Sequence, residues 1–196
     1  MKNELYNISS DTYEEFSIKV LTLSYDSKYS NFIYHGKDDE FDYTSSDDDV
    51  ALEVVSIIPD NIINAVKYEN AMEKGKKPDS EKVLLSKTDS DGNLIMYYGG
   101  SIGEIKQKIK DSIQIKKNKT LRRKKYKKYE LCICIHDGGL LSSKESLYYL
   151  LKDDFLKNMI YDKVFFITRC NFYVWDRSYQ KVENQFQEYK RIINQI

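Results

Sequence analysis

The sequence lacks the run of about 20 consecutive apolar residues that a membrane-spanning helix needs. The stretch from Met1 to Phe16 also lacks the apolar region of a secretory signal peptide. Cysteine is scarce, and Cys132, Cys134 and Cys170 all fall in apolar runs that are typical of core strands. An odd number of cysteines without framework spacing argues against a disulfide scaffold. We therefore expect reduced thiols and a cytoplasmic protein without a membrane partner.

Several residue patterns that carry chemistry are also missing. The two histidines, His35 and His136, have no partner at the spacing of zinc ligands, so the sequence argues against a zinc site and favours structural histidines. His136 ends a strand beside Asp137, and the edge of a functional site is the alternative there. No arrangement of serine, histidine and aspartate carries a nucleophile signature. Gly99-Gly100-Ser101 precedes a predicted helix but lacks the Gly-x4-Gly-Lys spacing of a phosphate loop. The remaining candidates are carboxylates and lysines.

Charged residues are abundant but unevenly distributed. The chain has 31 basic and 31 acidic residues, which gives a formal net charge of zero. Carboxylates crowd the stretch from Asp38 to Asp49, whereas lysines and arginines crowd the stretch from Lys116 to Lys128. This polarity suggests one surface for cations and another for polyanions. The alternative is a pair of solvated charge runs that partly neutralise each other.

Apolar strands alternate with helices along the chain. The patterns predict helices at 11–23, 61–74, 102–117, 119–128, 143–156 and 182–196, and strands at 31–35, 41–43, 50–58, 82–86, 93–98, 130–136, 163–169 and 171–175. Continuous apolar strands between helices predict one α/β domain with a central mixed sheet flanked by helices. The strands around Asp91-Gly92 predict a hairpin, which we interpret as an insertion at roughly 76–100.

Asp42 and Glu53 are the first candidates for a functional site. Glu53 interrupts an apolar strand, and a carboxylate is costly to bury unless something pairs with it. A turn separates it from Asp42, so the two side chains can meet on adjacent strands of a hairpin. Converging carboxylates repel each other unless a cation bridges them, and Mg²⁺ (or Mn²⁺) suits oxygen ligands and keeps waters, one of which can be a nucleophile. Asp49 is a rival ligand, and a solvated acidic loop beside an edge-strand glutamate is the alternative.

Lys116 and Lys117 are candidates for a basic group beside a scissile phosphate. The predicted helix before them carries a stripe of isoleucines from Ile102 to Ile113. At about 100° per residue, Lys116 lies roughly 25° from the mean direction of that stripe and Lys117 roughly 75°. A charged residue therefore stands where the apolar face would continue, unless the helix frays there or the lysine stem extends to solvent.

The basic stretch that follows suits the phosphate backbone of a nucleic acid. Tyr126 and Tyr129 accompany it, and a core strand comes directly after it, so at least part of it is folded. The candidate nucleic-acid-binding residues are Lys119, Arg122, Arg123, Lys124, Lys125, Lys127 and Lys128.

Together, Asp42, the strand motif Leu52-Glu53-Val54-Val55, the lysine-rich helix and the strand Glu130 to Ile135 resemble the PD-(D/E)xK nuclease superfamily, which has the restriction-endonuclease-like fold. The resemblance covers roughly residues 11–175. In that family an Asp and a Glu on a strand hairpin hold Mg²⁺, and a Lys two positions after the Glu completes the site. The resemblance implies a Mg²⁺-dependent nuclease acting on DNA or RNA, with Asp42 and Glu53 as catalytic metal ligands.

The sequence departs from the family pattern at two of these positions. Phe41 stands where the family has proline before the aspartate, and Val55 stands at the position of the signature lysine. Some relatives carry that lysine on the following helix, which would give the catalytic role to Lys116 or Lys117. If no lysine reaches the site, the resemblance implies an inactive module that binds or inhibits.

The resemblance leaves further points open. The first-helix glutamate that some members use would be Glu14 or Glu15. The Lys-, Asn-, Ile- and Tyr-rich composition fits an AT-rich bacterium, a phage, a mobile element or a defence system. Nucleic acid is the expected partner, and a homodimer or a protein partner is also compatible with the sequence.

Overall fold

The structure is a computed structural model of the chain. It describes residues 10–36, 41–47, 49–60, 63, 74, 86–88, 94–96, 101–121, 126–136, 159–168, 171–178 and 181–184. The helix predicted at 143–156, most of the helix predicted at 61–74, and Cys170 lie outside these residues. Of the helices within them, none is long and apolar enough to cross a membrane.

The described secondary structure comprises two α-helices, one 3-10 helix and nine strands. The helices are α1 (Ser10–Ser24), the 3-10 helix (Ser27–Asn31) and α2 (Ile102–Leu121). The strands are β1 (Ile33–Tyr34), β2 (Tyr43–Thr44), β3 (Val50–Ile57), β4 (Ser86–Thr88), β5 (Leu94–Met96), β6 (Lys128–Ile135), β7 (Lys163–Ile167), β8 (Phe172–Asp176) and β9 (Lys181–Asn184).

Seven strands form one mixed sheet in the order β1-β2-β3-β6-β7-β8-β9. The pairs β3–β6 and β6–β7 are parallel and the other pairs of this sheet are antiparallel. Parallel neighbours require a crossover, and α2 lies in the connection between β3 and β6. The predicted α/β class with a central mixed sheet is therefore confirmed. β4 pairs with β5 in antiparallel orientation, and the predicted first strand, 82–86, overlaps β4 only at Ser86. Residues 82–85 and the predicted turn at Asp91-Gly92 lie outside the described residues, so the insertion stays a prediction.

Strand side chains alternate between the two faces of the sheet, so each face can carry its own apolar cluster. One of the two described α-helices packs on each face. The isoleucine stripe of α2, formed by Ile105, Ile109 and Ile113, is buried in the cluster on one face. Val20 and Leu21 of α1 are buried in the cluster on the opposite face. Burial of one such aliphatic side chain contributes about 1.5–3 kcal/mol. The stripe therefore fixes α2 on the sheet. It also fixes the direction in which the side chain of the next residue on the same helix face points.

The two described cysteines lie in the core, as predicted, and belong to the cluster on the α1 face. Cys132 and Cys134 are buried free thiols, and Cys134 Sγ lies 2.9 Å from Ser17 Oγ. Burial raises the pKa of the Cys132 thiol well above its ordinary value. Cys132 is therefore an inert packing residue rather than a nucleophile.

The helix predicted at 119–128 is wrong at its C-terminal end. Lys128 begins β6, and the backbone N–H groups of Lys127 and Lys128 donate to the carbonyl oxygen of Asp49, at 3.1 and 3.0 Å. These bonds bring the end of the basic stretch to the start of β3, which is incompatible with a continuing helix. Helix α2 instead runs past the predicted end at Lys117, as far as Leu121.

The helix predicted to start at Val182 is also wrong at its beginning. Residues Lys181–Asn184 form β9, in which Val182 lies opposite Trp175 of β8. The free edge of β8 offers backbone hydrogen bonds to a neighbouring strand, and β-branched valine suits a strand better than a helix. The tertiary environment therefore overrides the local helical pattern at these residues.

A buried carboxylate lies on the α1 face of the sheet. Glu130 of β6 is 2% exposed and accepts a hydrogen bond of 2.7 Å from the Tyr29 hydroxyl. Burial raises the pKa of Glu130, while the bond from Tyr29 and the charge of Lys163 offset part of the increase. The folded protein therefore keeps this proton at pH values at which the unfolded chain loses it.

We expect Glu130→Gln to change how stability depends on pH. Because the folded pKa is raised, the contribution of Glu130 is fully present below the unfolded pKa and is lost as the pH rises through the folded pKa. Glutamine keeps an oxygen acceptor for Tyr29 without the charge, so the variant should gain stability relative to the wild type across that window. Urea unfolding at several pH values measures this, with the exposed Glu15→Gln as control. A difference that does not vary with pH would contradict the expectation.

Candidate functional site

Asp42 and Glu53 face each other at the junction of β2 and β3. The antiparallel register places Tyr43 opposite Leu52, and its continuation by one residue places Asp42 opposite Glu53. Side chains at opposed positions of an antiparallel pair project to the same face of the sheet. The turn between the two residues therefore brings both carboxylates to the face that α2 covers.

Lys116 of α2 joins the two carboxylates. Its Nζ lies 3.4 Å from Asp42 Oδ2 and contacts Glu53 Oε2 directly. Glu53 is fully buried, Asp42 is nearly so, and the Lys116 side chain is 21% exposed. With both carboxylates ionised, this ion cluster of Asp42, Glu53 and Lys116 carries two negative charges and one positive charge. The formal charge of the cluster is then negative.

The two carboxylates determine the protonation state of Lys116. Burial alone would lower the pKa of Lys116, because the ammonium loses hydration. The negative charge of Glu53, followed by that of Asp42, outweighs burial and raises the pKa above its ordinary value. Lys116 is therefore a protonated cation across the physiological pH range.

The backbone orients Asp42. The N–H of Val54 donates to Asp42 Oδ2 at 2.6 Å, and the backbone N–H of His35 donates to the carbonyl oxygen of Asp42 at 3.1 Å. Hydrogen bonds from backbone amides to ionised carboxylates are shorter and stronger than bonds between neutral groups. The oxygen that faces Lys116 is thus held by β3 itself, and its direction does not depend on a flexible loop.

His35 lies beside this cluster, although the sequence interpretation treats it as structural. Tyr34 lies opposite Tyr43, and continuing that register places His35 opposite Asp42. The Nε2 atom of His35 lies 2.7 Å from Thr44 Oγ1. This neighbourhood arises from the pairing of β1 with β2, which the spacing of His35 in the sequence does not reveal.

Tyr161 is a second neighbour that sequence reasoning missed. It is buried, and burial followed by the charge of Glu53 raises its pKa, while Thr120 acts in the opposite direction. Tyr161 lies two residues before β7, more than 100 residues from Glu53 along the chain. The apolar and aromatic residues around position 161 carry no sequence signal for this electrostatic influence of Glu53.

Lys117 borders a cleft on the α2 side of the sheet. It lines this cleft, of about 360 Å³, together with Lys110, Gln114 and Tyr161. The described contacts therefore bring Lys116, and not Lys117, to Asp42 and Glu53. This agrees with the helix angles, since Lys116 lies closer than Lys117 to the mean direction of the isoleucine stripe.

The first-helix glutamates occupy other positions. Glu14 accepts a 2.7 Å hydrogen bond from the Tyr34 hydroxyl, and Glu15 pairs with Lys19 at 3.0 Å. Both residues belong to α1, which covers the opposite face of the sheet from α2. Their described contacts do not include the ion cluster.

The acidic and basic stretches meet where β3 and β6 begin. Lys127 Nζ lies 2.8 Å from Asp49 Oδ1. Asp49, the rival metal ligand, is thus paired with the basic stretch, and the two charge runs neutralise each other at this point. Lys128 is exposed. The other candidate binding residues lie outside the described part, namely Arg122, Arg123, Lys124, Lys125 and the side chain of Lys119.

An aromatic cluster connects the basic stretch to the ion cluster. The ring of Phe41 lies 5.2 Å from that of Tyr126 and 5.8 Å from that of Tyr129, measured between centroids. Phe41 immediately precedes Asp42 in the chain. The end of the basic stretch therefore packs next to the candidate site.

The donor set of the site fits a small divalent cation. Asp42 Oδ2 and Glu53 Oε2 already share one cationic group, the Lys116 ammonium. Mg²⁺ is commonly held by one or two carboxylates, with waters and substrate completing its coordination. No group of three or more His, Cys, Asp or Glu side chains able to hold a metal occurs in the described part of the chain. A two-carboxylate site for Mg²⁺ or Mn²⁺ is the arrangement that these residues fit.

Comparisons of the chain with protein families, with curated proteins and with solved structures find no match. The ion cluster and the basic stretch beside it are therefore the basis for the function proposed below.

We expect the three residues of the ion cluster to be energetically coupled. Without divalent cations, Lys116→Met should lower the free energy of unfolding by about 3–5 kcal/mol, because it leaves buried carboxylates without their cation. Glu53→Gln removes one of those charges, so the double variant should lose less than the sum of the two single losses. Urea unfolding of the four proteins in a chelator measures the coupling.

Lys117→Met is the matched control for this cycle. It removes the same charge one residue further along α2, at the cleft, and should change stability by less than about 0.5 kcal/mol. Strictly additive losses for Lys116 and Glu53 would contradict the coupling.

Proposed function

We propose that this protein is a nuclease that depends on a divalent cation and hydrolyses phosphodiester bonds, as a divergent member of the PD-(D/E)xK superfamily. The observation that carries the proposal is the convergence of Asp42, Glu53 and Lys116 at one point beside a strand hairpin. The family brings together these three residue types. Here the lysine comes from the helix that follows the hairpin, while Val55 stands at the usual position.

Asp42 and Glu53 would hold Mg²⁺ or Mn²⁺ through their carboxylate groups. Bound there, the cation would supply Lewis acidity to a phosphoryl oxygen and lower the pKa of the attacking water. The Val54 amide keeps the carboxylate of Asp42 directed towards Glu53. The burial of Glu53 strengthens its attraction for a cation, because Coulomb interactions increase as the effective dielectric constant falls.

Lys116 supplies a positive charge beside the reacting phosphate. The ammonium is protonated at neutral pH and has three donors, which can contact a phosphoryl oxygen and orient the attacking water. A donor positioned where negative charge develops stabilises the transition state. The four-carbon stem allows Nζ to reach the phosphate while α2 remains fixed on the sheet.

The basic stretch would hold the nucleic acid next to these groups. It begins where α2 ends, a few residues after Lys116, and its far end packs through Tyr126 onto Phe41 beside Asp42. A phosphate backbone bound along Lys127 and Lys128 would therefore run close to the two carboxylates. Lysines provide affinity for phosphates without reading sequence, so this surface favours a general nucleic-acid grip.

A second candidate function is an inactive module on the same scaffold that binds nucleic acid or a protein partner. Two observations favour it: Val55 stands at the signature lysine position, and Lys116 already neutralises part of the charge of the carboxylates. Nucleic-acid binding in a gel-shift assay, without cleavage in Mg²⁺ or Mn²⁺, would identify this function.

We expect the protein to cleave plasmid or oligonucleotide substrates in Mg²⁺ or Mn²⁺, and Glu53→Gln to reduce the rate at least about a hundredfold. Glutamine retains the size of the side chain but loses the charge that attracts the cation. Timed cleavage assays, with folding checked by circular dichroism, measure the effect.

Glu15→Gln is the matched control for this experiment, because it removes an exposed carboxylate of α1 on the other side of the sheet. Its cleavage rate should equal that of the wild type. Unchanged cleavage by folded Glu53→Gln would eliminate the proposed mechanism.

We expect Lys127→Gln combined with Lys128→Gln to weaken nucleic-acid binding and to reduce its salt dependence. For each phosphate that the variant no longer binds, the magnitude of the slope of log K against log salt should fall by about 0.9 for duplex DNA or about 0.7 for single strands. Fluorescence anisotropy at several salt concentrations measures the slope. Lys19→Gln on α1 is the control, and an unchanged slope in the double variant would exclude these two lysines from the interface.

A further inference from the structure

We infer that Lys116 is a built-in counter-ion, which occupies the cation position between the two carboxylates and must leave it before a divalent cation binds. The identity of that cation rests on the proposed function. The inference adds that cation binding is a competition with a side chain of the protein itself, and that this competition sets the divalent-cation concentration at which the site fills.

The competition follows from the atoms that are shared. Lys116 Nζ lies 3.4 Å from Asp42 Oδ2 and contacts Glu53 Oε2, so one ammonium occupies the position that both carboxylates border. A divalent cation held by Asp42 and Glu53 would need the carboxylate oxygens of these same two residues. The ammonium and the ion cannot occupy this space together, and their positive charges repel each other.

The charges of the pocket explain why a counter-ion is present. Glu53 is fully buried and Asp42 is buried beside it, so without a cation two carboxylates would face each other in a medium of low polarity. Breaking a buried ion pair by removing one partner is strongly destabilising. Lys116 therefore stabilises the fold in the absence of a divalent cation, and it weakens the affinity for that cation.

The exchange requires movement of the Lys116 side chain alone. The isoleucine stripe holds α2 on the sheet, and Thr120 Oγ1 donates to the carbonyl oxygen of Lys116 at 3.0 Å, which keeps this turn of the helix in place. The Lys116 side chain is 21% exposed, so its flexible stem has a direction towards solvent. On leaving the carboxylates, the ammonium remains beside the site and becomes available to a phosphate.

The exchange also inverts the charge of the pocket. The ion cluster by itself has a net negative charge, whereas the cluster with a divalent cation has a net positive charge. Cation binding therefore prepares the pocket for an anionic phosphate, and the phosphate in turn favours the displaced position of Lys116. Cation and nucleic acid should consequently bind with positive cooperativity.

The affinity of the Lys116→Met variant for a divalent cation tests the competition without relying on catalysis. Methionine has a similar length but no charge, so the variant should bind Mn²⁺ more tightly than the wild type, by roughly 5- to 150-fold. Electron paramagnetic resonance of free Mn²⁺ during a titration measures the affinity, and calorimetry with Mg²⁺ provides a second measurement. Lys117→Met, which removes a charge at the cleft, should bind Mn²⁺ as the wild type does.

The outcomes separate this inference from the nuclease proposal. Equal or weaker Mn²⁺ binding by folded Lys116→Met, with Mg²⁺-dependent cleavage by the wild type, would overturn the counter-ion inference alone. Absence of Mn²⁺ binding by both proteins would overturn the inference and the proposed function together. Tighter Mn²⁺ binding by Lys116→Met would support the competition. Loss of that tighter binding in the double variant, Lys116→Met with Glu53→Gln, would support its location at the two carboxylates.

Lys116→Arg keeps the inference testable if Lys116→Met does not fold. The guanidinium preserves the positive charge and can bind carboxylates through two parallel hydrogen bonds, so it should be displaced less readily than the ammonium. We expect weaker Mn²⁺ binding than in the wild type and no loss of folding in a chelator. Tighter Mn²⁺ binding by Lys116→Arg would overturn the inference.

Discussion

The attraction between the Lys116 ammonium and the carboxylates of Asp42 and Glu53 is the interaction on which the site depends. It connects β2, β3 and α2, and the helix is far from the two strands in the sequence. A fully buried glutamate in the middle of an apolar strand is unfavourable unless a cation accompanies it. The isoleucine stripe of α2 supplies the apolar contact that holds the helix in place, and Lys116, next along that stripe, supplies the charge.

The protein buries carboxylates in two different ways, one on each face of the sheet. Glu53 is in direct contact with the Lys116 ammonium, whereas the hydrogen bond to Glu130 comes from the neutral hydroxyl of Tyr29. The charge of Lys163 offsets only part of the effect of burial, which raises the pKa of Glu130. A neutral donor compensates a charge less than an ammonium does, so Glu130 responds by favouring its protonated form. Among the described residues, the α2 face is where carboxylates gather around a shared cation, which is why we locate the chemistry there and interpret Glu130 as part of the core.

The α/β class and the pairing of Asp42 with Glu53 could be predicted because they follow from local signals. Apolar runs identify the strands, and the angular position of Lys116 relative to the isoleucine stripe identifies the lysine that faces the sheet. His35 could not be placed because its position depends on how β1 pairs with β2. The strand at Val182 could not be predicted either, since the free edge of β8 overrides the helical pattern around that residue.

The position of the lysine explains why the site has the properties proposed for it. Val55, two residues after Glu53, projects to the same face and packs against the α2 cluster. A lysine there would stand on the same strand as the glutamate, at a fixed distance from it, and would disturb this apolar contact. Lys116 instead approaches the carboxylates from the helix above them, with a long stem and a path to solvent. A charge in that position can neutralise the carboxylates in the absence of a metal ion and move away when another cation takes its place, which a charge on the strand could not do as readily.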